Sequence, residues 1–296
     1  MRWLILTVFL AGCATTPREP VNVDREVPFQ LVNQNYITLP VRLNDKTTRT
    51  FVLDTGAGIS VVSHSLCPEL GCAQHGEQKG KRMSGQELSI PLTTMKSVAV
   101  GGHEQRDMPL GLFDMDKLMP GTDIVGILSL QYFKTRPFTI DFERHMIVFE
   151  DSASLAQIRT EGAVVPIELD PQGEALSIHL PLVLPNAEPA VMEVDTGSQS
   201  LILDEHFLDV LGIKKKKVRV VGGKDETGHE YKRYFTKLKG DIHLPRARDM
   251  KMDNPEVMFQ KIIYDGLIGV YFLRQFRVTF DLQHAEMIFR KFSTAK

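Results

Sequence analysis

The sequence has few cysteines, no surplus of charge and no metal-binding pattern, and each shortage excludes a class of function. Its three cysteines in 296 residues include no Cys-x-x-Cys pair, so thiol redox chemistry has no support. The net charge of -2 and the scattered aromatic residues give no reason to expect a nucleic-acid partner. The nine histidines show no His-Glu-x-x-His spacing. We therefore expect no nucleic acid, no metal and no cofactor.

The apolar stretch at the N-terminus is short, and it has the character of an export signal. Arg2 precedes an apolar run over residues 3–10 that is too short to span a bilayer. The segment LAGC at 10–13 resembles the lipobox of bacterial lipoproteins, which implies cleavage before Cys13 and lipidation of its thiol. Ala14 in place of aspartate indicates the outer membrane, facing the periplasm, if the organism is Gram-negative. The alternative is a plain secretory signal that ends near a cysteine.

The second half of the chain repeats the first. Asp54-Thr55-Gly56 recurs 141 residues later as Asp195-Thr196-Gly197, each time at the end of an apolar run. The match is gap-free from Ile37 to about Val62, and each half ends in a predicted strand pair. A period above one hundred residues indicates a duplicated domain and not a solenoid.

The segments of both halves are short, rich in β-branched and aromatic residues, and separated by Gly, Pro and Asn-Asp turns. They predict a mainly β protein of two similar β-barrel lobes related by a pseudo-twofold axis, with the active site between them. Short helices are expected at 65–70, at 205–211, and after Gly126 and Gly269. The expected division is a signal peptide, a polar tether, an N-terminal lobe, a linker and a C-terminal lobe, at 1–12, 13–27, 28–150, 151–163 and 164–296.

Two Asp-Thr-Gly turns that face each other would bring two carboxylates within a few Å. Two like charges at that separation do not both ionise easily, so the pair holds one proton over a broad pH range. One carboxylate then acts as a general base on water, and the other donates a proton to a scissile carbonyl. The repeated triplet therefore indicates acid–base hydrolysis.

At this point residues 28–296 resemble the pepsin/retropepsin superfamily of aspartic peptidases. The resemblance depends on two apolar-apolar-Asp-Thr-Gly elements, each followed by an apolar-apolar-Gly element at 124–126 and 267–269. It implies that these second elements support the catalytic turns through a ψ-shaped loop. The resemblance also implies that the two aspartates share one proton, as they do in aspartic proteases. The implied site consists of the catalytic pair and its supporting residues, namely Asp54, Asp195, Thr55, Gly56, Ala57, Thr196, Gly197 and Ser198.

The same resemblance implies a flap in each lobe, at hairpin tips near 81–86 and 226–231. The flap tyrosine of pepsin-like enzymes is missing, because no Tyr occurs between Tyr36 and Tyr132. The substrate-binding flap candidates are Met83, Ser84, Gly85, Thr227, Gly228 and His229.

Two further features remain open from the residues alone. Cys67 and Cys72 could be free thiols or a short-range disulfide, and their spacing from Asp54 is similar to the small-loop disulfide of pepsin-like lobes. Glu193 stands two residues before Asp195, where an apolar residue is expected. It would either point to solvent or perturb the dyad.

Two functions fit this pattern. The first is an envelope-anchored aspartic endopeptidase that cleaves an extended peptide or protein lying across the lobe interface. The second is a catalytically silent peptide- or partner-binding lipoprotein of the same fold. Because both triplets lie in one chain, the chain is expected to work alone.

Overall fold

The computed structural model describes residues 25–224, 228 and 230–292. The expected signal peptide, Cys13 and most of the tether lie outside the described residues. No helix in the described part of the chain is long and apolar enough to cross a membrane.

The described part of the first half contributes eleven strands. They are β1 (Glu26–Pro28), β2 (Gln30–Val32), β3 (Tyr36–Leu43), β4 (Thr47–Leu53), β5 (Val61–Ser63), β6 (Gln74–Lys81), β7 (Glu87–Val100), β8 (His103–Phe113), β9 (Ile124–Leu128), β10 (Phe138–Asp141) and β11 (Met146–Phe149).

The second half contributes thirteen described strands. They are β12 (Ala163–Pro166), β13 (Glu168–Gln172), β14 (Ala175–Val183), β15 (Pro189–Val194), β16 (Leu201–Asp204), β17 (Arg219–Lys224), β18 (Glu230–Lys237), β19 (Asp241–Leu244), β20 (Ala247–Asp253), β21 (Glu256–Gln260), β22 (Gly266–Ile268), β23 (Phe276–Asp281) and β24 (Glu286–Lys291).

Helices are short and lie between the strands. The α-helices of the described residues are α1 (Cys67–Leu70), α2 (Met115–Leu118), α3 (Leu130–Phe133), α4 (Ser152–Glu161), α5 (Phe207–Val210) and α6 (Val270–Leu273). Single 3₁₀ turns lie at His64–Leu66, Pro185–Ala187 and Lys215–Lys217. Helices α1, α3, α5 and α6 lie where the sequence predicted them, whereas α2 and α4 were not predicted.

A six-stranded sheet joins the two halves, in the order β1-β11-β10-β23-β24-β12. This order is symmetric, because β1, β11 and β10 of the first half occupy the same places as β12, β24 and β23 of the second. At its centre β10 and β23 pair antiparallel with Thr139 opposite Thr279, and their hydroxyls hydrogen-bond at 2.7 Å. The rings of Phe138 and Phe280 stack beside them with centroids 4.7 Å apart. The pseudo-twofold axis therefore passes between two strands whose pairing fixes one half on the other.

Each half also forms its own sheet, of eight strands in the first and ten in the second. In each sheet a strand runs between the two strands that flank the Asp-Thr-Gly turn. Strand β9 is parallel to β4 and antiparallel to β5, and β22 has the same relation to β15 and β16. The expectation of a mainly β chain with two similar pepsin-like lobes is confirmed.

The strand register corrects one expected correspondence between the lobes. Gly126 pairs with Phe51, and the residue paired with the equivalent Met192 is Gly266, not Gly269. Gly269 instead precedes α6, where Ser129 precedes α3. The sequence suggested the other alignment because Ile-Val-Gly and Leu-Ile-Gly look alike, but backbone pairing decides equivalence.

Two segments near the expected boundaries have regular structure. Strand β1 begins at Glu26, inside the expected tether, because it pairs with β11 at the edge of the six-stranded sheet. The linker at 151–163 forms α4, whose N-terminus is closed by a capping box between Asp151 and Ser154. Leu155 of this helix packs beside Ile288 of β24.

We predict that Gly126→Ala destabilises the protein. A Cβ at this position would lie 2.6 Å from the carbonyl oxygen of Val61 and would clash with the ring of Phe51. Overpacking of this kind typically costs about 1–3 kcal/mol of unfolding free energy, so the urea midpoint should fall. Gly80→Ala is the control, because a Cβ there meets no atom within 4 Å. Equal midpoints for the two variants would contradict this account of the ψ-shaped support.

Candidate active site

The two Asp-Thr-Gly turns face each other at the lobe interface. Each aspartate leaves its strand with the backbone N–H bonded to the supporting strand, Asp54 to Leu128 O and Asp195 to Ile268 O, both at 3.0 Å. Each carboxyl group also accepts the N–H of its own glycine, at 3.0 Å for Gly56 and 2.7 Å for Gly197. The carboxyl groups of Asp54 and Asp195 are within hydrogen-bond reach of each other.

Glycine is required at both turns because each turn presses against the opposite aspartate. A Cβ at Gly56 would lie 2.6 Å from Cγ of Asp195, and a Cβ at Gly197 would clash with the carboxylate of Asp54. Both contacts would be closer than an ordinary van der Waals contact. The third residue of each triplet is therefore determined by the carboxylate of the other lobe.

Thr55 and Thr196 bind reciprocally beneath the two carboxylates. The Thr196 N–H donates to Thr55 Oγ1 at 3.0 Å, and the Thr55 N–H donates to Thr196 Oγ1 at 3.1 Å. Each hydroxyl then donates to a carbonyl of the opposite lobe, Thr55 to Val194 O at 2.6 Å and Thr196 to Leu53 O at 2.8 Å. Both threonines are fully buried. Four hydrogen bonds thus fix the lateral separation of the two turns.

The environment of the pair favours the protonated form. Burial raises the pKa of Asp195 well above its usual range, and the negative charge of Asp54 raises it further. The pKa of Asp54 is also raised by burial, although hydrogen bonds from Asp195 and from the N–H groups of Gly56, Ala57 and Gly197 oppose the shift. Burial of both carboxyls and the repulsion between their charges therefore favour a pair that holds one proton.

Glu193 is a third carboxyl beside the dyad, and it does not point to solvent. Its side chain is 8% exposed, and burial is the main cause of its raised pKa, although hydrogen bonds from Tyr264 and Ser177 and the charge of His179 lower it. The negative charge of Asp54 also raises the pKa of Glu193, and that of Glu193 raises the pKa of Asp195. The second option foreseen from the sequence is therefore the observed one.

The first-lobe flap is the β6–β7 hairpin, and it reaches the second lobe. The N–H of Ile263 donates to Met83 O at 3.0 Å, and Met83 packs in a cluster with Ile202, Met258 and Ile262. Gly85, at φ +83°, lies against the side chain of Ile263. No sequence motif pointed to Ile263 or Tyr264 as site residues, because both lie in the loop between β21 and β22, outside the two Asp-Thr-Gly elements.

The remaining flap candidates lie at two places. The hydroxyl of Ser84 is buried and has no hydrogen-bond partner. Gly228 stands at the tip of the β17–β18 hairpin with φ +82°, and Thr227 and His229 fall outside the described residues.

Other predicted site residues have local roles. Ala57 and Ser198 close each turn by donating their N–H groups to Asp54 O at 3.4 Å and to Asp195 O at 3.3 Å. The sulfur atoms of Cys67 and Cys72 are bonded, which closes a short loop around α1. Among the described residues no group of three or more His, Cys, Asp or Glu side chains could hold a metal ion.

Residues 39–132 match a family model described as aspartyl protease, and this segment includes Asp54 and the first supporting strand. No curated protein sequence matches the chain. Among solved structures, basic 7S globulin from soybean has a TM-score of 0.55 at 12% identity, covering 91% of this chain and 94% of that one. Conglutin gamma, a basic 7S globulin from lupine seeds, has a TM-score of 0.56 at 12% identity, with coverages of 91% and 95%. A third structure, edgp, has a TM-score of 0.54 at 12% identity, with coverages of 92% and 96%.

At 12% identity these three structures show the fold alone. Together with the family match, they confirm the resemblance to the pepsin/retropepsin superfamily. Two of the three are globulins by name, and the likeness carries no argument about catalysis.

We predict that Glu193→Gln flattens the decline of stability between acidic and neutral pH. A carboxyl whose pKa is raised on folding adds stability below its ordinary value, 4.5 for Glu193, and this stability is lost as pH rises through the folded pKa. Glutamine keeps hydrogen-bonding capacity toward Tyr264 and Ser177 but cannot ionise. The measurement is the free energy of unfolding by urea across this pH range.

Glu256→Gln is the matched control, because Glu256 is an exposed glutamate on β21 of the same sheet. Identical pH dependence in wild type and Glu193→Gln would contradict the assignment of Glu193 as a buried ionisable group of the site.

Proposed function

We propose that this chain is an aspartic endopeptidase in which Asp54 and Asp195 activate water to hydrolyse peptide bonds. The observation that carries the proposal is the reciprocal arrangement of the two triplets, in which each carboxyl lies against the other lobe's glycine and the two threonines bind across the interface. A protein that only binds peptides has no chemical need for two desolvated carboxyls in contact.

In this mechanism the dyad holds one proton, and a water molecule bound to both carboxyls attacks the scissile carbonyl carbon. The ionised carboxyl takes a proton from the water while the other donates its proton to the carbonyl oxygen, which yields a tetrahedral diol. Proton transfer to the leaving nitrogen then breaks the C–N bond. Burial raises the pKa of both carboxyls, so one of them keeps the proton and serves as the acid while the other serves as the base.

We call the space between the first-lobe flap and the two Asp-Thr-Gly triplets the cleft, and it would suit a peptide in an extended conformation. The first-lobe flap has its tip held over the second lobe by the bond from Ile263 N–H to Met83 O, so a bound peptide would lie between the flap and the two triplets. Pairing of a peptide with the flap backbone is strand addition, in which main-chain bonds give affinity and side-chain pockets give specificity. Met83 and the apolar cluster around it would line such a pocket.

A second candidate is a peptide- or partner-binding protein without catalysis. The likeness to two globulins favours it, since a two-lobe pepsin-like fold also occurs in proteins that bear no peptidase name. Both candidates share the cleft, so they differ in chemistry at the dyad and not in architecture.

We predict that Asp54→Asn and Asp195→Asn each reduce peptide-bond hydrolysis by about 10²-fold or more, as expected for loss of a general acid or base. The assay is digestion of denatured protein across the acidic to neutral range, with and without pepstatin. Asp116→Asn, an exposed aspartate of α2, serves as the control. Wild-type cleavage that survives in both dyad variants would exclude the dyad assignment.

We further propose that the mature chain is anchored through lipidated Cys13 and faces the periplasm. The proposal rests on the lipobox-like segment at 10–13 and on the polar tether that follows it. Cys13→Ala should move the protein from the membrane to the soluble periplasmic fraction in the native host. Ala14→Asp should keep it lipidated but shift it toward the inner membrane. Retention of Cys13→Ala in the membrane pellet would contradict the anchor.

A further inference from the structure

A hairpin of the second lobe crosses to the first lobe close to the dyad. It consists of β13, β14 and the turn between them, and we call it the crossing hairpin. The N–H of Leu176 donates to the carbonyl oxygen of Gly58 at 2.9 Å, and Gly58 follows the first triplet by two residues. Ala175 lies alongside, at 3.4 Å from a Cβ placed on Gly58. The hairpin therefore meets the floor of the cleft.

The crossing hairpin also meets the roof of the cleft. Gln78 of the flap strand β6 donates from Nε2 to Gln172 O at 2.8 Å, and its Oε1 accepts the N–H of Glu174 at 3.1 Å. Gly173, at φ +64°, lies between these two residues with no room for a Cβ, which would be 2.9 Å from Oε1 of Gln78. One side chain thus binds both sides of the hairpin turn. The hairpin spans the gap between the flap and the catalytic turn.

The hydrogen bond from Leu176 to Gly58 occupies a main-chain carbonyl that an extended ligand would otherwise meet. Leu176 is opposite Pro171 in the hairpin, and its N–H points away from β13 and donates to the carbonyl oxygen of Gly58. The acceptor at Gly58 is therefore occupied by the chain's own strand. A peptide that left the dyad in this direction would meet the hairpin backbone in place of open cleft.

The distance to this obstacle is limited by chain length. Gly58 is four residues from Asp54, and four residues span at most about 14 Å even when fully extended. A bound strand advances about 3.3 Å per residue. The hairpin therefore lies within about four substrate residues of the reacting carbonyl.

We propose that the crossing hairpin, held by Gly58 and Gln78, is an end wall of the substrate cleft that limits a peptide to about four residues on that side of the scissile bond. The proposal rests on the proposed peptidase function for its cleavage readout, but the wall itself is a property of the cleft. It narrows the proposed endopeptidase activity to bonds that lie within about four residues of one end of the substrate.

Two variants weaken the wall at different contacts. Gln78→Ala removes both bonds of the partly exposed glutamine to the hairpin turn. Leu176→Pro removes the N–H that binds Gly58. Lys79→Ala is the matched control, because Lys79 is the next residue of β6 and is 80% exposed with its ammonium directed to Glu77. Because Gln78→Ala removes both hydrogen bonds to the hairpin turn, we expect a change of about tenfold or more in rate.

The cleavage readout is the position of every cut in a mixture of synthetic peptides of graded length, determined by mass spectrometry. In wild type and Lys79→Ala we expect cuts within about four residues of one terminus, always the same one. In Gln78→Ala and Leu176→Pro we expect cuts to spread into the interior, with rates for long peptides rising about tenfold relative to short ones. Interior cuts in wild type at the same rate as in the variants would overturn the wall while leaving the peptidase function intact.

A binding readout separates failure of the wall from failure of the proposed function. The same peptides are titrated calorimetrically into Asp195→Asn with and without Gln78→Ala. If wild type cleaves nothing, but affinity falls beyond a fixed peptide length and Gln78→Ala removes that limit, the wall is supported and the peptidase function is overturned. Affinity that is absent, or independent of length in both proteins, would overturn the wall.

Discussion

The reciprocal binding of Thr55 and Thr196 is the interaction on which the site depends. Each threonine gives its hydroxyl both as an acceptor for the other's N–H and as a donor to a carbonyl of the opposite lobe. All four bonds are buried, so loss of one hydroxyl leaves several polar groups unpaired at about 1–3 kcal/mol each. With the two turns fixed in this way, Asp54 and Asp195 cannot move apart to relieve their repulsion. Two carboxyls held this close together favour a pair that holds one proton.

The rest of the fold supplies support to these two turns. Strands β9 and β22 each hold a catalytic turn from below, through the bonds that Leu128 and Ile268 accept from the aspartate N–H groups. The six-stranded sheet then fixes one lobe on the other through Thr139 and Thr279 at the pseudo-twofold axis. The dyad is therefore held at two levels, locally by the threonines and globally by the sheet.

The two lobes differ where specificity would be determined. Val52 of the first lobe packs in an apolar cluster, whereas its counterpart Glu193 is a buried carboxyl bound by Tyr264 and Ser177. The first-lobe flap rests on Ile263 of the second lobe, and the crossing hairpin of the second lobe rests on Gly58 and Gln78 of the first. Duplication supplied two symmetric Asp-Thr-Gly turns, and these unshared contacts make the surroundings of the two turns different.

From the sequence alone we could predict the internal duplication, the mainly β class and the pairing of Asp54 with Asp195. This was possible because a 141-residue offset repeated over many positions cannot arise from local propensity, and because two Asp-Thr-Gly triplets in matching frames indicate two carboxylates that face each other. Local pattern also located four of the six helices, since each follows a strand and a turn signal. It misplaced the second supporting glycine, because the pattern does not tell that Gly266 pairs with β15 whereas Gly269 lies past the strand, at the start of α6.

Three features became visible only in the folded chain. They are the burial of Glu193, the contact of the flap with Ile263, and the contacts of the crossing hairpin with the first lobe. Each depends on residues far apart in the chain, such as Glu193 with Tyr264 or Gln78 with Gln172. A sequence pattern reports which face of a strand is apolar, but it does not report which loop of the other lobe packs on that face. Contacts across the lobe interface are determined by packing between distant segments, and no local pattern encodes them.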